Sequence, residues 1–395
     1  MSNAELPHTP SAVVPLNPLG PAANSDRHVV NGPAVDMRGI FEMAFQKGAS
    51  DIHLTENAPP TLRIDGSLGP MSLPPLTRKE TKLLIYTLLN DRQKAQFERE
   101  LELDFSIDVQ NLGRFRVNVH MQRGSVEAAF RLVPKRIRSL QELGLPLIVS
   151  ELARKPNGLV LITGPTGVGK TTTLAAMVDQ INHQQRLHII SIEDPIEYVH
   201  ENHLSIIKQR EVYSDTKSFA NALTRSLRQD PNVIIVGEMR DLETISTTLT
   251  AAETGHLVLA TLHTPDAAQT IDRIIDIFPP YQQEEVKIQL ADCLQAVVSQ
   301  QLLPRADGPG RVLAYEIMIG TSAIRNLIRE HATEQVQTSL QTGSQYGMCT
   351  MDSCIKSLYD QKMISYETAI SRMKNPSEIT PAPQALLKKF PWPHR

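Results

Sequence analysis

Apolar positions follow two rhythms along the chain. In "GRFRVNVHMQ" and "SVEAAFRLV", residues 113–122 and 125–133, they alternate: Phe115, Val117 and Val119 stand between Arg114, Arg116, Asn118 and His120. Period two is the signature of a half-buried strand, and Arg123-Gly124 between the runs is a turn signal, so a hairpin with one apolar and one cationic face is expected. Upstream, "DMRGIFEMAFQKG" and "RKETKLLIYTLLN" carry helical spacing while "DIHL" and "PTLRIDG" read as short strands, making residues 36–134 a small α/β domain. From residue 151 the rhythm changes to uninterrupted apolar runs, "GLVLI", "HIISI", "NVIIV" and "HLVLATL", separated by helical stretches. Strands buried on both faces and alternating with helices predict a mostly parallel, doubly wound sheet, followed by C-terminal helices to residue 374.

The remaining segments have neither rhythm. Residues 1–35 are rich in Pro, Ala, Asn and Ser and read as a disordered leader. Residues 135–150, around "KRIRSLQELGLP", read as a linker, and residues 375–395, with repeated prolines and Trp392, as a flexible tail.

Composition narrows the possibilities. A formal net charge of -3 over 395 residues offers no overall attraction to nucleic acid or an anionic membrane surface. Three cysteines, Cys293, Cys349 and Cys354, form no CxxC pair and support neither a zinc ribbon nor a disulfide framework. No apolar run approaches the roughly 18 residues that would span a bilayer.

The candidate chemistry begins at "GPTGVGKT". Gly164, Pro165, Thr166, Gly167, Val168, Gly169, Lys170 and Thr171, extended by Thr172, satisfy G-x-x-x-x-G-K-[ST] between a strand pattern and a helix pattern. Glycines let the backbone curl around an anion, Lys170 supplies a mobile positive charge and the Thr171 hydroxyl suits Mg²⁺. Leu174, Met177 or Val178, and Ile181 then recur on one helical face.

Three later strand patterns end in polar residues: Glu193 and Asp194, Glu238, and His263. In open α/β sheets ligands sit outside the carboxyl ends of the strands, so these tips are expected beside the phosphate loop. Phosphoryl transfer to water needs a carboxylate to orient or deprotonate the nucleophile, and Glu238, preceded by Gly237, is the choice. Glu193 is read as a Mg²⁺ ligand through water. His263, and with it His256, is read as a sensor of the terminal phosphate that passes its state to a neighbour, a structural histidine being the other reading of His256. Arg114, Arg116 and Arg131 are candidates for an arginine supplied from another domain or subunit, the alternative being a solvated strand face. With no N-K-x-D motif, ATP is favoured over GTP.

At this point the motifs resemble a known family. "GPTGVGKTT", "SIEDPIEYVH", "VGEMRDLETI" and "TAAETGHLVLATLHT" are similar, in order, to the Walker A, Asp, Walker B and His boxes of the ATPases of type II secretion and type IV pilus systems. "GASDIHL", "GRFRVNVH", "QREVYSDTKSF", "TIDRIIDIFP" and "EIMIGTSAIRNLIRE" resemble the pilus-retraction branch, so the likeness spans residues 36–374. It implies a PAS-like N-terminal domain, a RecA-like ATPase domain, and a homo-hexameric ring with ATP between subunits. It also implies Mg²⁺-dependent hydrolysis, an inner-membrane platform protein and a paralogous ATPase as partners, and a cytoplasmic position at the pilus base. Assembly ATPases usually carry a tetracysteine zinc insert and a longer N-terminal region, which this chain lacks, so pilus retraction is the expectation. An accessory motor of the same ring is the alternative, and a P-loop nucleic-acid translocase a remote one. Ala323–Glu330 resembles a retraction signature and reads as an amphipathic helix with Ile324, Leu327 and Ile328 on one side. Val168 departs from the family's usual serine, and Pro265-Asp266 from its small polar residues after the His box.

Overall fold

The computed structural model describes residues 36–64, 66–133 and 136–380. The expected leader and residues 381–395 lie outside the described residues. The chain divides into two compact units: one runs to Arg136 and takes in Pro195–Val199 and Tyr213–Asp215, and the other holds Ile137–Asp194, His200–Val212 and everything from Thr216 on.

The first unit contains α1 (Met37–Gln46), β1 (Asp51–Leu54), β2 (Thr61–Ile64), β3 (Ser67–Pro70), α2 (Arg78–Tyr86), α3 (Asp91–Glu100), β4 (Glu102–Val109), β5 (Gly113–Gln122) and β6 (Ser125–Val133). The strands form one antiparallel sheet in the order β3-β2-β1-β6-β5-β4. The predicted hairpin is β5–β6. Arg123 and Gly124 both take positive φ, 48° and 81°, as a two-residue turn matched to strand twist requires. Phe115, Val117 and Val119 face inward, and Phe41 of α1 packs on Phe115 and edge-on to Phe130, with ring centroids 4.5 and 5.4 Å apart.

The second unit begins with α4 (Leu147–Leu152), β7 (Gly158–Thr163), α5 (Lys170–Gln184), β8 (His188–Glu193), β9 (Ile206–Glu211), α6 (Phe219–Ser226), β10 (Val233–Val236), α7 (Leu242–Glu253) and β11 (Leu257–Leu262). It continues through α8 (Ala267–Asp276), α9 (Pro280–Cys293), β12 (Leu294–Pro304), β13 (Arg311–Ile319), α10 (Ser322–Glu330), α11 (Val336–Thr342), α12 (Met351–Asp360) and α13 (Tyr366–Arg372). The sheet runs β13-β12-β7-β11-β10-β8-β9, parallel throughout except for β13, which closes one edge antiparallel to β12. Alternate residues of β7 feed opposite layers. Leu159 and Leu161 pack with Leu223, Ile245, Ile271 and Leu290, whereas Val160 and Ile162 pack with Val149, Leu174, Met177 and Ile181. Burial on both faces is why these strands read as unbroken apolar runs.

Two segment boundaries differ from expectation. Much of residues 135–150 is not a free linker: Leu140, Leu145 and Val149 are buried in the second unit's core. Residues 375–380 are docked, because Asp352 accepts hydrogen bonds from the backbone of Lys374 and Asn375 and Ile379 is buried beside Met351 and Ile355.

Candidate active site

The phosphate loop leaves β7 at the centre of the second sheet, between β11 and β12. Gly164 has φ 135°, and a Cβ there would meet the Gln300 carbonyl oxygen at 2.5 Å and Val168 Cγ2 at 2.9 Å, so only glycine fits. Gly167 and Gly169 are also left-handed, with φ 80° and 93°. Gly169 caps the N-terminus of the 15-residue α5 without any side-chain hydrogen bond. The first N–H groups of α5 therefore point out of the loop with no capping oxygen, where the helix dipole also favours an anion. Lys170 folds back over the loop, its Nζ donating to the carbonyls of Gly164 and Pro165 at 2.7 and 3.0 Å.

The predicted strand tips converge. In register, Thr163 of β7 pairs with Leu262 of β11, Ala260 of β11 with Val236 of β10, and Val236 with Ile192 of β8. Loop, His263, Glu238 and Glu193 thus leave the same edge of four adjacent strands. His263 Nδ1 lies 3.5 Å from both Lys170 Nζ and Thr166 Oγ1, and its Nε2 lies 3.0 Å from Glu238 Oε1. Gly237 lets the Glu238 turn lie close against the end of β8, since a Cβ there would sit 3.0 Å from the Ile192 carbonyl oxygen and 3.2 Å from Glu193 Cα. Thr261 Oγ1 donates to the Gly237 carbonyl at 2.5 Å and fixes the turn that aims Glu238.

Arg240 pairs with the other oxygen of Glu238 at 2.7 Å. Burial pushes the Glu238 carboxyl up, but its hydrogen bond to Arg240 and its interactions with His263 and the Arg240 charge outweigh it and hold it below the usual carboxylate range. Arg240 is a residue that sequence reading missed, although it stands only two positions after the chosen acid. Glu193 accepts hydrogen bonds from the Ser191 hydroxyl and, at 3.1 Å, from the Gln209 amide.

Other expectations meet different outcomes. His256 precedes β11, at the opposite end of the strand from His263; six residues at ~3.3 Å each put it roughly 20 Å from the phosphate loop of its own chain. Its Nδ1 lies 3.0 Å from the Ala251 carbonyl oxygen at the end of α7, and its own carbonyl accepts from Gly158 N, contacts that fit the structural reading of His256. Arg114, Arg116 and Arg131 share one strand face in the first unit, with Arg116 directly opposite Arg131. Each has a carboxylate nearby: Arg114–Asp108 at 3.3 Å, Arg116–Glu197 at 3.9 Å and Arg131–Asp51 at 2.9 Å. Asp266 caps α8 by accepting from Gln269 N.

No single metal cage is present: among the described residues no group of three or more His, Cys, Asp and Glu side chains is arranged to hold an ion. That is compatible with Mg²⁺, which commonly takes one or two protein oxygens with substrate phosphates and water. Thr171, in the first turn of α5, offers a hydroxyl next to the uncapped N–H groups.

Comparison with known proteins places this geometry. Residues 33–380 match the type II/IV secretion system protein family. The chain is 48% identical over 345 residues, 87% of its length and 100% of the relative's, to the type IV pilus retraction ATPase PilT of Pseudomonas aeruginosa. It is 38% identical to the type IV pilus ATPase PilU of the same organism, over 87% of this chain and 90% of that one. Among solved structures it resembles the pilus retraction motor PilT with bound ADP, at TM-score 0.82 and 50% identity, covering 87% of this chain and 99% of that one. The expected arrangement of an N-terminal α/β domain followed by a RecA-like ATPase domain holds.

Proposed function

The chain belongs to the type II/IV secretion system protein family, and we propose that it is an ATP-hydrolysing motor that drives retraction of type IV pili and hence twitching motility. The observation that carries the chemical part is the run Lys170–His263–Glu238 beside an uncapped helix N-terminus. Identity of 48% across the whole of a retraction ATPase, against 38% to the type IV pilus ATPase PilU, favours the retraction motor.

In this reading the loop from Gly164 to Thr172 wraps the phosphates with its backbone N–H groups, and Lys170 exchanges its carbonyl partners for phosphate oxygens. Thr171, with Glu193 through water, would hold Mg²⁺, which when bound would supply neutralisation of phosphate charge. Glu238 orients the attacking water. Its carboxylate, held ionised by Arg240 and His263, is a strong hydrogen-bond acceptor but a weak proton acceptor in the ground state, so positioning outweighs early deprotonation. His263 touches both the lysine and the acid, and so reports the state of the phosphate end to the carboxylate. Arg114, Arg116 and Arg131 supply positive charge from outside the phosphate-loop unit. The motor is a homo-hexamer that docks on a membrane-embedded platform protein at the pilus base. No described helix is long and apolar enough to cross a membrane.

Deleting the gene tests the reading. The expected outcome is cells with surplus surface pili and no twitching, restored by the parent gene and not by Lys170→Ala. Cells without pili would instead identify an assembly motor.

A further inference from the structure

The loop that carries His263 is short: only Thr264, Pro265 and Asp266 separate it from Ala267, the first residue of α8. Pro265 fixes one of its dihedrals. The Thr264 and Thr270 hydroxyls meet at 2.6 Å, and Asp266 caps the helix, its Oδ1 accepting from Gln269 N at 2.9 Å. Where Asp266 is held therefore decides where His263 stands between Lys170 and Glu238. We propose that Lys374 is a positioning residue for hydrolysis: through Asp266 it fixes the His263 loop, and so makes turnover depend on the docked C-terminal segment. The inference rests on reading the site as one that hydrolyses ATP.

A serine or asparagine would cap α8 as well and carry no charge. Asp266 is 5% exposed, and its Oδ2 accepts from Gln269 Nε2 at 2.8 Å and from Lys374 Nζ at 2.7 Å. Among the described residues Lys374 is the only cation within ion-pair distance of this buried carboxylate. A second buried acid stands beside it. Glu316 of β13, 1% exposed, accepts from Ala267 N at 3.0 Å and from Met351 N, at the start of α12, at 3.4 Å. Asp352, the next residue of α12, accepts from Lys374 N at 2.9 Å and Asn375 N at 2.8 Å. These contacts close a circuit from α8 to β13, on to α12, on to residues 374–375, and back to α8 through Lys374 Nζ. Burial disfavours the Lys374 ammonium, but its hydrogen bond to Asp266 and the charges of Asp266, Glu316 and Asp352 outweigh that and raise it above its ordinary range.

The two partners of the ion pair differ in their access to water. The Lys374 side chain is half-exposed, so replacing it removes a charge without opening a cavity. Asp266 is buried, and without Lys374 its charge has neither a cation nor water to offset it. The carboxylate then turns toward solvent, gives up Gln269 N and displaces the loop three residues from His263. A displacement of about 1 Å at a positioned group can slow turnover by up to about a hundredfold.

Equilibrium ATP titration and single-turnover phosphate release on purified full-length chain test this. Lys374→Met is expected to bind ATP within about twofold of the parent and to release phosphate about tenfold more slowly. Lys374→Arg is expected to stay near the parent. Adding Asp266→Asn to Lys374→Met should restore most of the rate, because asparagine keeps the cap and abolishes the unpaired charge. Thermal melting checks the fold, and Lys374→Gln, suited to a half-exposed position, carries the same comparison should Lys374→Met not melt cooperatively. Phosphate release at the parent rate after loss of the lysine overturns the proposal. So does a slowed rate that falls only in step with ATP binding, or one that Asp266→Asn does not relieve. A parent chain that hydrolyses no ATP refutes the hydrolysis reading itself and this inference with it, and is thereby distinguished from failure of the Lys374 assignment alone.

Discussion

Glu238 and His263 meet across adjacent strands β10 and β11, Oε1 to Nε2 at 3.0 Å. The carboxylate can only accept, so Nε2 carries the proton. Lys170 Nζ, 3.5 Å from Nδ1, can only donate, so Nδ1 is the acceptor. One imidazole tautomer therefore satisfies both neighbours, and the histidine links the phosphate-binding cation to the water-orienting acid.

Removing that link should leave binding and cost turnover. His263→Ala is expected to bind ATP within a few-fold of the parent and to release phosphate about a hundredfold more slowly, the scale of a lost positioning or proton-transfer group. Equilibrium binding with single-turnover phosphate release checks it. Unchanged turnover would show that the contact is incidental.

Lys170→Ala and Glu238→Gln should separate binding from chemistry. The first removes the charge that now spans the Gly164 and Pro165 carbonyls and is expected to abolish tight ATP binding. The second preserves the shape of the side chain and is expected to retain ATP while losing hydrolysis. A Glu238→Gln chain that binds poorly, yet turns over whatever it captures at the parent rate, contradicts the assignment of Glu238.

The pH profile should depend on Arg240. Burial raises the Glu238 carboxyl, and Arg240 with His263 lowers it below its ordinary value of 4.5. A depressed folded value means the ionised form, with its contribution to stability and turnover, is intact above the unfolded value and lost as pH falls through the folded one. Arg240→Ala removes the leading opposing contact, so the acid limb of the turnover profile should move to higher pH, with Arg240→Lys restoring part of the shift. An acid limb that stays in place would mean that Arg240 does not tune the acid.

How far the sequence revealed this arrangement depended on whether each feature is local. The phosphate loop and the strand tips at Glu238 and His263 were legible because loop spacing and unbroken apolar strands are carried by consecutive residues. α3 was not read, because Phe97 is its only buried residue and no apolar period results. Leu140 and Leu145 sit in irregular backbone, so their burial leaves no rhythm either. His256 and His263 flank the same strand, and only strand direction tells which end carries the ligand site. Arg240 was not legible because a charge two positions after an acid carries no local sign that it turns back onto it.

The helix at Ser322–Glu330 behaves differently from a free coupling surface. Ile324 and Ile328 are fully buried against the sheet's core, and Arg325 donates to the carbonyls of Ala291, Asp292, Leu294 and Gly320. Ile328→Ala should therefore destabilise the fold by about 2–5 kcal/mol, read by denaturant melting. Exposed Asn326 and Ala323 should tolerate substitution at no such cost, and any role of this helix in transmitting motion has to be sought there. A variant at Ile328 that melts like the parent would show that the helix is not part of the core.

The arginines of the first unit give the most direct test of assembly. Arg131 is the cleanest of the three: its side chain is 70% exposed, against 18% for Arg114, so its loss should perturb packing least. Asp51, whose carboxylate is buried, holds it at 2.9 Å, and Arg63 lies 3.7 Å from the other oxygen of that carboxylate and stays with it if the Arg131 guanidinium turns to an anion from elsewhere. If Arg131 acts on a neighbouring protomer's nucleotide, Arg131→Ala and Lys170→Ala chains are each inactive as homogeneous rings, because every site lacks one component. Mixed rings contain some sites whose loop comes from the Arg131→Ala chain and whose arginine comes from the Lys170→Ala chain, and these are intact. ATPase activity should then return in mixtures in which mixed assembly is verified by differential tags. No recovery with Arg131, nor with Arg114 or Arg116 in the same format, would reduce the cationic strand face to a set of ion pairs within its own unit.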